Sequence, residues 1–523
     1  MNSAAGPRPS FRNTSRIQSL TANRWLRVTL WSIVVALSVL KFCYLAADFP
    51  NESPWLIDQA KFTDEGWWSN AAVAHALTGH WFVPGDYNPA VALPVWPFLI
   101  SLLFRFTGVS FIAARALNVA ISVATLGVVF LLLRRFARPN SGFPALLGVA
   151  LLSASPFAFA FNRLAILDTL VVFEFLLLLL LASYASQKRI GLWIVIFLLA
   201  VLMVLTKTTA LLLLPAVLWM AWSAARRTWR SLLRAFVFIA VLPAALLKSY
   251  SELVSLLGYG SDYRYFFSVN AMPGLDWGQT FSTLTDLFQN CFWIDRVLYP
   301  VGLAVLILAL AWRRKLWANP LFTAAWIAIA IQAAFIFRRQ QDYAPRYFLV
   351  MLAPLVCIVA IAFADLRLPS PKSALFMLLA PLGAFLLNLA MIGHFLTHRD
   401  YDLRDAARSI AQLVRSHPEQ KPLLMGVSGN QLSLMTGIPS INDGFGTERS
   451  SQEMASYKPG WYAEWNDTPR DPSAFAGYTL EKMASYPIFD DEDRTTLNLY
   501  KIVPDGVNPS EPSLSATPTP SAK

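Results

Sequence analysis

The sequence predicts a polytopic all-α membrane protein that carries a small C-terminal extracytoplasmic α/β domain. Three observations predict it. The 523 residues are 56% hydrophobic and only 14% charged, with a mean hydropathy of +0.47, too apolar for an ordinary soluble chain. Long apolar segments recur, each near the ~20 residues, with a lower limit of ~17, that a helix needs to cross the hydrocarbon core. Beyond residue 397 the composition turns soluble.

Residues 1–24 form a basic, polar cytoplasmic arm. The first apolar run, Trp25 to Ala46, is long and lacks a small-residue cleavage pattern, so it reads as a retained helix. Residues 47–111 make a first outer loop with room for two or three short helices. It is rich in tryptophan (Trp55, Trp67, Trp68, Trp81, Trp96), as segments at headgroup level are. Val91–Phe104 is apolar but short and contains Pro94 and Pro97, so it is read as interfacial or re-entrant. With 25–46, the further apolar runs at 112–133, 143–161, 165–184, 190–206, 208–224, 233–249, 292–311, 320–337, 347–364 and 373–396 give about eleven spans within a transmembrane domain over 25–396. Residues 250–291 form a second outer loop carrying Tyr259, Tyr263, Tyr265, Phe266 and Phe267. In the outer domain, 397–503, Leu403–Val414 has helical periodicity, while Pro422–Val427 and Leu497–Val503 read as strands. The tail, 504–523, is rich in Pro, Ser and Thr and is expected to be disordered.

Charge sets the orientation. With eleven spans, the Arg-rich arm shares one face with Arg134, Arg135, Arg138, Lys188, Arg189, Arg226, Arg227, Arg230, Arg313, Arg314 and Lys315. That is the positive-inside pattern and puts the N-terminus in the cytoplasm. The opposite face collects the acids, including Asp58, Asp64, Glu65 and Asp168. The net charge of +11 is accounted for by short cytoplasmic loops against anionic membrane lipids, so nucleic acid is not an expected partner. Cys43, Cys291 and Cys357 show no disulfide spacing.

The chemistry-bearing residues lie on the acidic face. Asp64-Glu65 sits in Phe62-Thr-Asp-Glu-Gly-Trp-Trp68, followed by an amphipathic stretch that would pin it at the membrane surface. A carboxylate there can act as general base toward a hydroxyl or amine; an ordinary acidic loop pair would look the same. Asp168 follows Arg163 by five residues at a helix start, where either a site acid or a capping acid belongs. Glu174, six residues deeper, is read as a hydrogen-bond partner for a neighbouring helix. Lys207, in Leu205-Thr-Lys-Thr-Thr209, suits a phosphate or marks a helix end by snorkelling. Arg346, in Gln341-Asp-Tyr-Ala-Pro-Arg-Tyr347, and Arg115, in Ala113-Ala-Arg-Ala-Leu117, open spans on the same face. Carboxylates and cations thus ring one membrane face. No ligand set has zinc-like spacing, so no metal site is assigned; a divalent cation is possible but not supported. Nothing resembles a P-loop or a dinucleotide fingerprint.

In order and in common face, these motifs resemble the GT-C glycosyltransferase superfamily, and most of all its bacterial branch related to protein mannosyltransferases (glycosyltransferase family 39) and the lipid A aminoarabinose transferase. The resemblance rests on Asp64-Glu65, Pro94–Phe98, Ala113–Leu117, Arg163 with Asp168, and Thr206-Lys207, and extends loosely to Arg346-Tyr347. It implies a plasma (inner) membrane enzyme for cell-envelope glycosylation. A polyprenyl-phosphate sugar would be the donor, a glycan, lipid or protein the acceptor, and the transfer inverting. Asp64, Glu65 and Asp168 would be catalytic, and Lys207, Arg163, Arg346 and Arg115 would bind the donor phosphate. Relatives mostly work without a catalytic metal. The chain departs from the family in lacking the first-loop lysine: Tyr87-Asn-Pro-Ala90 stands at the Lys-Pro-Pro-like element, which shifts phosphate contact toward Lys207 or Arg346.

Three rivals remain at the sequence level. An oligosaccharide ligase or polymerase would use a prenyl-diphosphate donor. A transporter would place its ionisable groups near the bilayer midplane. A scaffold would use only the outer domain.

Overall fold

The computed structural model describes residues 24–505, apart from 52–57, 59, 138–141, 186–188, 226, 272–276, 279–280, 283–294, 296, 312–313, 340–344, 366–370 and 467–471. The basic arm before residue 24, most of the second outer loop beyond residue 271 and the tail from residue 506 lie outside the described residues.

The chain is mostly helical. In order run α1 (Arg24–Leu40), α2 (Glu65–Thr78), α3 (Val95–Thr107), α4 (Phe111–Phe136), α5 (Phe143–Ser153), α6 (Pro156–Phe161), α7 (Leu167–Ala182), α8 (Ile190–Thr206) and α9 (Leu214–Ala224). There follow α10 (Trp229–Leu256, with a π turn at Val237–Val241), α11 (Gly260–Val269), α12 (Leu298–Ala311), α13 (Pro320–Arg339), α14 (Leu349–Asp365) and α15 (Pro371–Thr397). Helix α14 is buried along nearly its whole length and packs against α5, α7, α12 and α13; it is the spine of the membrane domain.

Eleven spans are not recovered as eleven long helices. Among the described residues, four segments are long and apolar enough to cross a bilayer: Phe111–Phe136, Trp229–Leu256, Pro320–Arg338 and Pro345–Asp365. The expected span 143–161 breaks after Ser153, because Ser155 accepts the Ala158 N–H and Pro156 restarts the chain as a new helix. The expected span 208–224 begins as a 3-10 helix, Thr208–Leu213, and becomes α-helical only at Leu214-Pro215. The first run stops at Leu40 and continues as turns. The ambiguous Val91–Phe104 segment becomes α3, only 13 residues long.

The outer domain is a five-stranded sheet of order β2-β1-β3-β5-β4, with helices α16 (Asp402–Ser416), α17 (Gly429–Thr436) and α18 (Ser450–Tyr457). Strands β1 (Leu424–Met425), β2 (Ser440–Ile441) and β3 (Trp461–Trp465) pair in parallel, while β4 (Tyr478–Asp491) and β5 (Arg494–Pro504) extend the sheet antiparallel to its neighbours. The first outer loop is laced into this domain. Asp48 accepts the Leu403 N–H at 2.8 Å, Asn51 donates to the Asp490 carbonyl at 2.7 Å, and Lys61 donates to the Phe489 carbonyl at 3.0 Å.

Candidate active site

Four segments distant in sequence bring their charged groups to one place. Asp58 lies in the first outer loop. Asp64 ends the π turn Ala60–Asp64 that leads into α2. Asp168 stands in the first turn of α7, where an acid is favoured by the exposed N–H groups. Lys207 is the junction between α8 and the 3-10 helix that follows. Arg346 lies in the 3-10 turn Pro345–Phe348 that opens α14.

Arg346 bridges two carboxylates. Its Nη1 donates to Asp58 Oδ1 at 2.9 Å, and its Nη2 stands 2.8 Å from Asp64 Oδ2. Across from it, Lys207 Nζ donates to Asp168 Oδ1 at 2.7 Å. The Tyr347 ring lies between the cations, 4.7 Å from Lys207 Nζ and 5.5 Å from the Arg346 guanidinium. All three acids are buried.

The two acids on Arg346 differ in one respect. At the oxygen facing Arg346, Asp58 Oδ1 receives an aligned hydrogen bond, whereas no donor among the described residues is aligned on Asp64 Oδ2; the second Asp58 oxygen, Oδ2, likewise has none. Burial pushes the Asp64 carboxyl up to about 7; Arg346 opposes that shift, and the neighbouring Asp58 and Asp168 add to it. Asp58 is likewise raised by burial, with Arg346 holding it back. A buried carboxylate oxygen that is charge-compensated yet has no donor aligned on it keeps a lone pair for an incoming proton.

Of the seven residues expected in the site, Asp64, Asp168, Lys207 and Arg346 come together. The other three have internal partners. Glu65 is fully buried and forms a two-pronged pair with Arg115, with Nε to Oε1 at 2.8 Å and Nη2 to Oε2 at 2.5 Å. It also accepts the Ala165 N–H at 2.7 Å. The remaining Arg115 nitrogen donates to the Leu45 and Ala47 carbonyls, both at 2.7 Å. Arg163 donates to the Lys41, Cys43 and Tyr44 carbonyls just beyond α1, satisfying acceptors that a helix end leaves open. Glu174 accepts from Thr206 on α8 at 3.1 Å, the interhelical bond expected of it. Asp58 is the residue that sequence reasoning passed over. Its only signal is a single acid after Trp55-Leu-Ile57, six residues before Asp64.

Among the described residues, no group of three or more His, Cys, Asp or Glu side chains could hold a metal ion. Between Asp58 and Asp64 the positive charge is supplied by Arg346.

Comparison with known proteins agrees with this architecture. Residues 88–248 match the family of dolichyl-phosphate-mannose-protein mannosyltransferases. No curated protein matches the chain in sequence. In fold, the chain is similar to ArnT from Cupriavidus metallidurans bound to undecaprenyl phosphate, at 13% identity and a TM-score of 0.60, over 92% of this chain and 98% of that one. The apo state of ArnT gives 15% identity and a TM-score of 0.58, over 91% and 98%. The archaeal oligosaccharyltransferase AglB from Archaeoglobus fulgidus, in complex with an inhibitory peptide and a dolichol-phosphate, gives 12% and 0.50, over 91% and 74%. At these identities the likeness is one of fold. The matched family segment contains Asp168 and Lys207 but neither Asp64 nor Arg346.

Proposed function

We propose that this chain, a GT-C superfamily glycosyltransferase resembling protein mannosyltransferases and ArnT, moves a monosaccharide from a polyprenyl-phosphate donor to a hydroxyl or amine acceptor. The acceptor is a glycan, lipid or protein on the extracytoplasmic face of the plasma membrane. The observation that carries the reading is the Asp64 carboxylate: buried, facing Arg346, with no donor aligned on Oδ2 and a second cation–acid pair, Lys207–Asp168, in the same cluster.

The chemistry follows from the charges. The acceptor O–H or N–H donates its proton to Asp64 as its heteroatom bonds to the anomeric carbon from the face opposite the leaving group. The bond from that carbon to the phosphate oxygen breaks, and its electron pair leaves with the lipid phosphate. Lys207 and Arg346 stabilise the charge that grows on that phosphate. Asp168 holds Lys207 in place, and Asp58 holds Arg346. Glu65, Arg115 and Arg163 support the loop around the site. The transfer inverts the anomeric centre, because one displacement joins donor and acceptor.

Purified protein in lipid, incubated with a labelled prenyl-phosphate sugar, tests the reading. Transfer by the parent, and its loss in Asp64→Asn with donor binding retained, is expected. Full transfer by Asp64→Asn rejects Asp64 as base. Turnover of a prenyl-diphosphate-linked glycan in place of the monophosphate donor rejects the proposed donor.

A further inference from the structure

We infer that helix α17 of the outer domain is a working part of the transfer site and that Gln431 is the positioning residue for Asp64; the inference rests on the reading of Asp64 as base. Asp64 precedes α2 but makes no side-chain cap to it. The turn that presents the carboxylate is therefore held by other groups, and they come from residues some 365 positions away.

The turn is gripped on both sides of Asp64. On its far side, the Gly66 N–H donates to Gln431 Oε1 at 2.7 Å, and Gln431 Nε2 faces Glu65 Oε2 at 3.4 Å. On its near side, Ser428 Oγ donates to the Phe62 carbonyl and accepts from Trp465 Nε1 at 2.8 Å. The chemistry admits one orientation of the Gln431 amide: a flip would set N–H against N–H and oxygen against carboxylate. Gln431 is fully buried. A Cβ added at Gly66 would stand 2.2 Å from the Gln431 backbone nitrogen and 2.4 Å from the Asn430 carbonyl carbon. The two backbones are thus in direct contact, and the turn has no slack toward α17.

Gln431 acts through the turn. It sets where the peptides at 65 and 66 lie, and so how Asp64 Oδ2 faces Arg346 and the acceptor. Displacements of about 1 Å at such a carboxylate cost on the order of 10²-fold in rate, while Lys207, held by Asp168 rather than by the turn, keeps its place toward the donor phosphate. A positioning role therefore predicts an effect on kcat without one on KM for the lipid donor.

The test uses the full-length protein in lipid nanodiscs. Gln431→Leu removes both hydrogen bonds at similar volume. Expected are faster amide exchange over residues 60–70 with unchanged exchange in β4 and β5, a kcat lower by roughly 10- to 100-fold, and an unchanged KM for a prenyl-phosphate sugar. Gln431→Glu adds a readout that mere loss of structure would not move. As a neutral acid, this side chain can accept from Gly66 and donate to Glu65; as a carboxylate, it repels Glu65. Its rate relative to the parent at the same pH should therefore recover as pH falls. Unchanged exchange over 60–70, or an undiminished kcat in Gln431→Leu, overturns the proposal. Should Gln431→Leu fail to fold, the Gln431→Glu series decides alone, and a constant ratio to the parent across pH overturns it. Responsive exchange in a protein whose parent transfers no sugar rejects Asp64 as base and the proposal with it, leaving only a contact between two parts of the chain.

Discussion

Lys207 and Asp168, 39 residues apart on consecutive helices, close on each other at 2.7 Å. The ion pair ties the start of α7 to the end of α8. The same joint carries a second bond, from Thr206 to Glu174 at 3.1 Å. Two adjacent residues at the end of α8 are thus held by two acids of α7. In Lys207→Met the lysine charge is lost while much of the stem is kept. The expected outcome is a fall in kcat of about 10²–10³-fold, the usual effect of removing one preorganised charge from a developing anion, with weaker donor binding by titration. An unchanged kcat would leave Lys207 as a helix-end anchor.

As the proposed base, the Asp64 carboxyl, pushed up to about 7 by burial and its acidic neighbours, is expected to set the pH dependence of transfer. A base works only when ionised, so the rate should fall about tenfold per unit below pH 7 and level off above it. Asp64→Asn should lose roughly 10²–10⁴-fold and show no such limb. Initial rates between pH 5 and 9 provide the check.

Removing Asp58 should move that limb. Asp58 is one of the negative charges that raise the Asp64 carboxyl, so Asp58→Asn is expected to shift the ascending limb to lower pH. It also releases one arm of Arg346, and kcat should fall with it. Arg346→Gln should act in the opposite sense on the limb, moving it upward, because the cation opposing the shift is gone. A pH profile identical to the parent's in both variants would show that this cluster does not tune the base.

The buried pair of Glu65 and Arg115 makes a prediction about folding. Breaking such a pair by removing one partner leaves an uncompensated buried charge and costs about 3–5 kcal/mol. Arg115→Met should therefore lower the unfolding midpoint strongly, and Glu65→Gln combined with Arg115→Met should recover part of the loss. Thermal unfolding in detergent reports it. An Arg115 that binds donor phosphate directly would instead show weakened donor affinity at unchanged stability.

Much of the architecture was legible in the sequence because hydropathy and charge report it locally. The apolar helices over Phe111–Phe136, Ile190–Thr206, Pro320–Arg339 and Leu349–Asp365, the small sheet domain after residue 397 and the helix at Leu403–Val414 appear where the residues imply them. Asp64, Asp168, Lys207 and Arg346 could be grouped because acids and cations beside apolar runs need partners. The roles of Arg115 and Arg163 were not legible. Arg163 is held by carbonyls at 41–44, and Arg115 by those of Leu45 and Ala47 besides the Glu65 carboxylate, and a carbonyl carries no side-chain signature. Asp58 was hidden for the opposite reason, since one more acid in a loop looks ordinary. Strand β4 was missed because Tyr478–Asp491 has no clean alternation and contains Pro487, which sits next to a break in register. The break between α5 and α6 was missed because Ser155-Pro156 lies inside an otherwise continuous apolar run.

The bare Cα of Gly66 and its partner on α17 also order events in time. Ribosomes make the acidic turn early, yet the group it docks on leaves the tunnel only after some 365 further residues. Chains that have not yet reached residue 431 therefore hold the acidic turn without its partner. On the proposed role of Asp64, fragments that end before residue 431 are expected to be silent, since the turn lacks the partner that holds it.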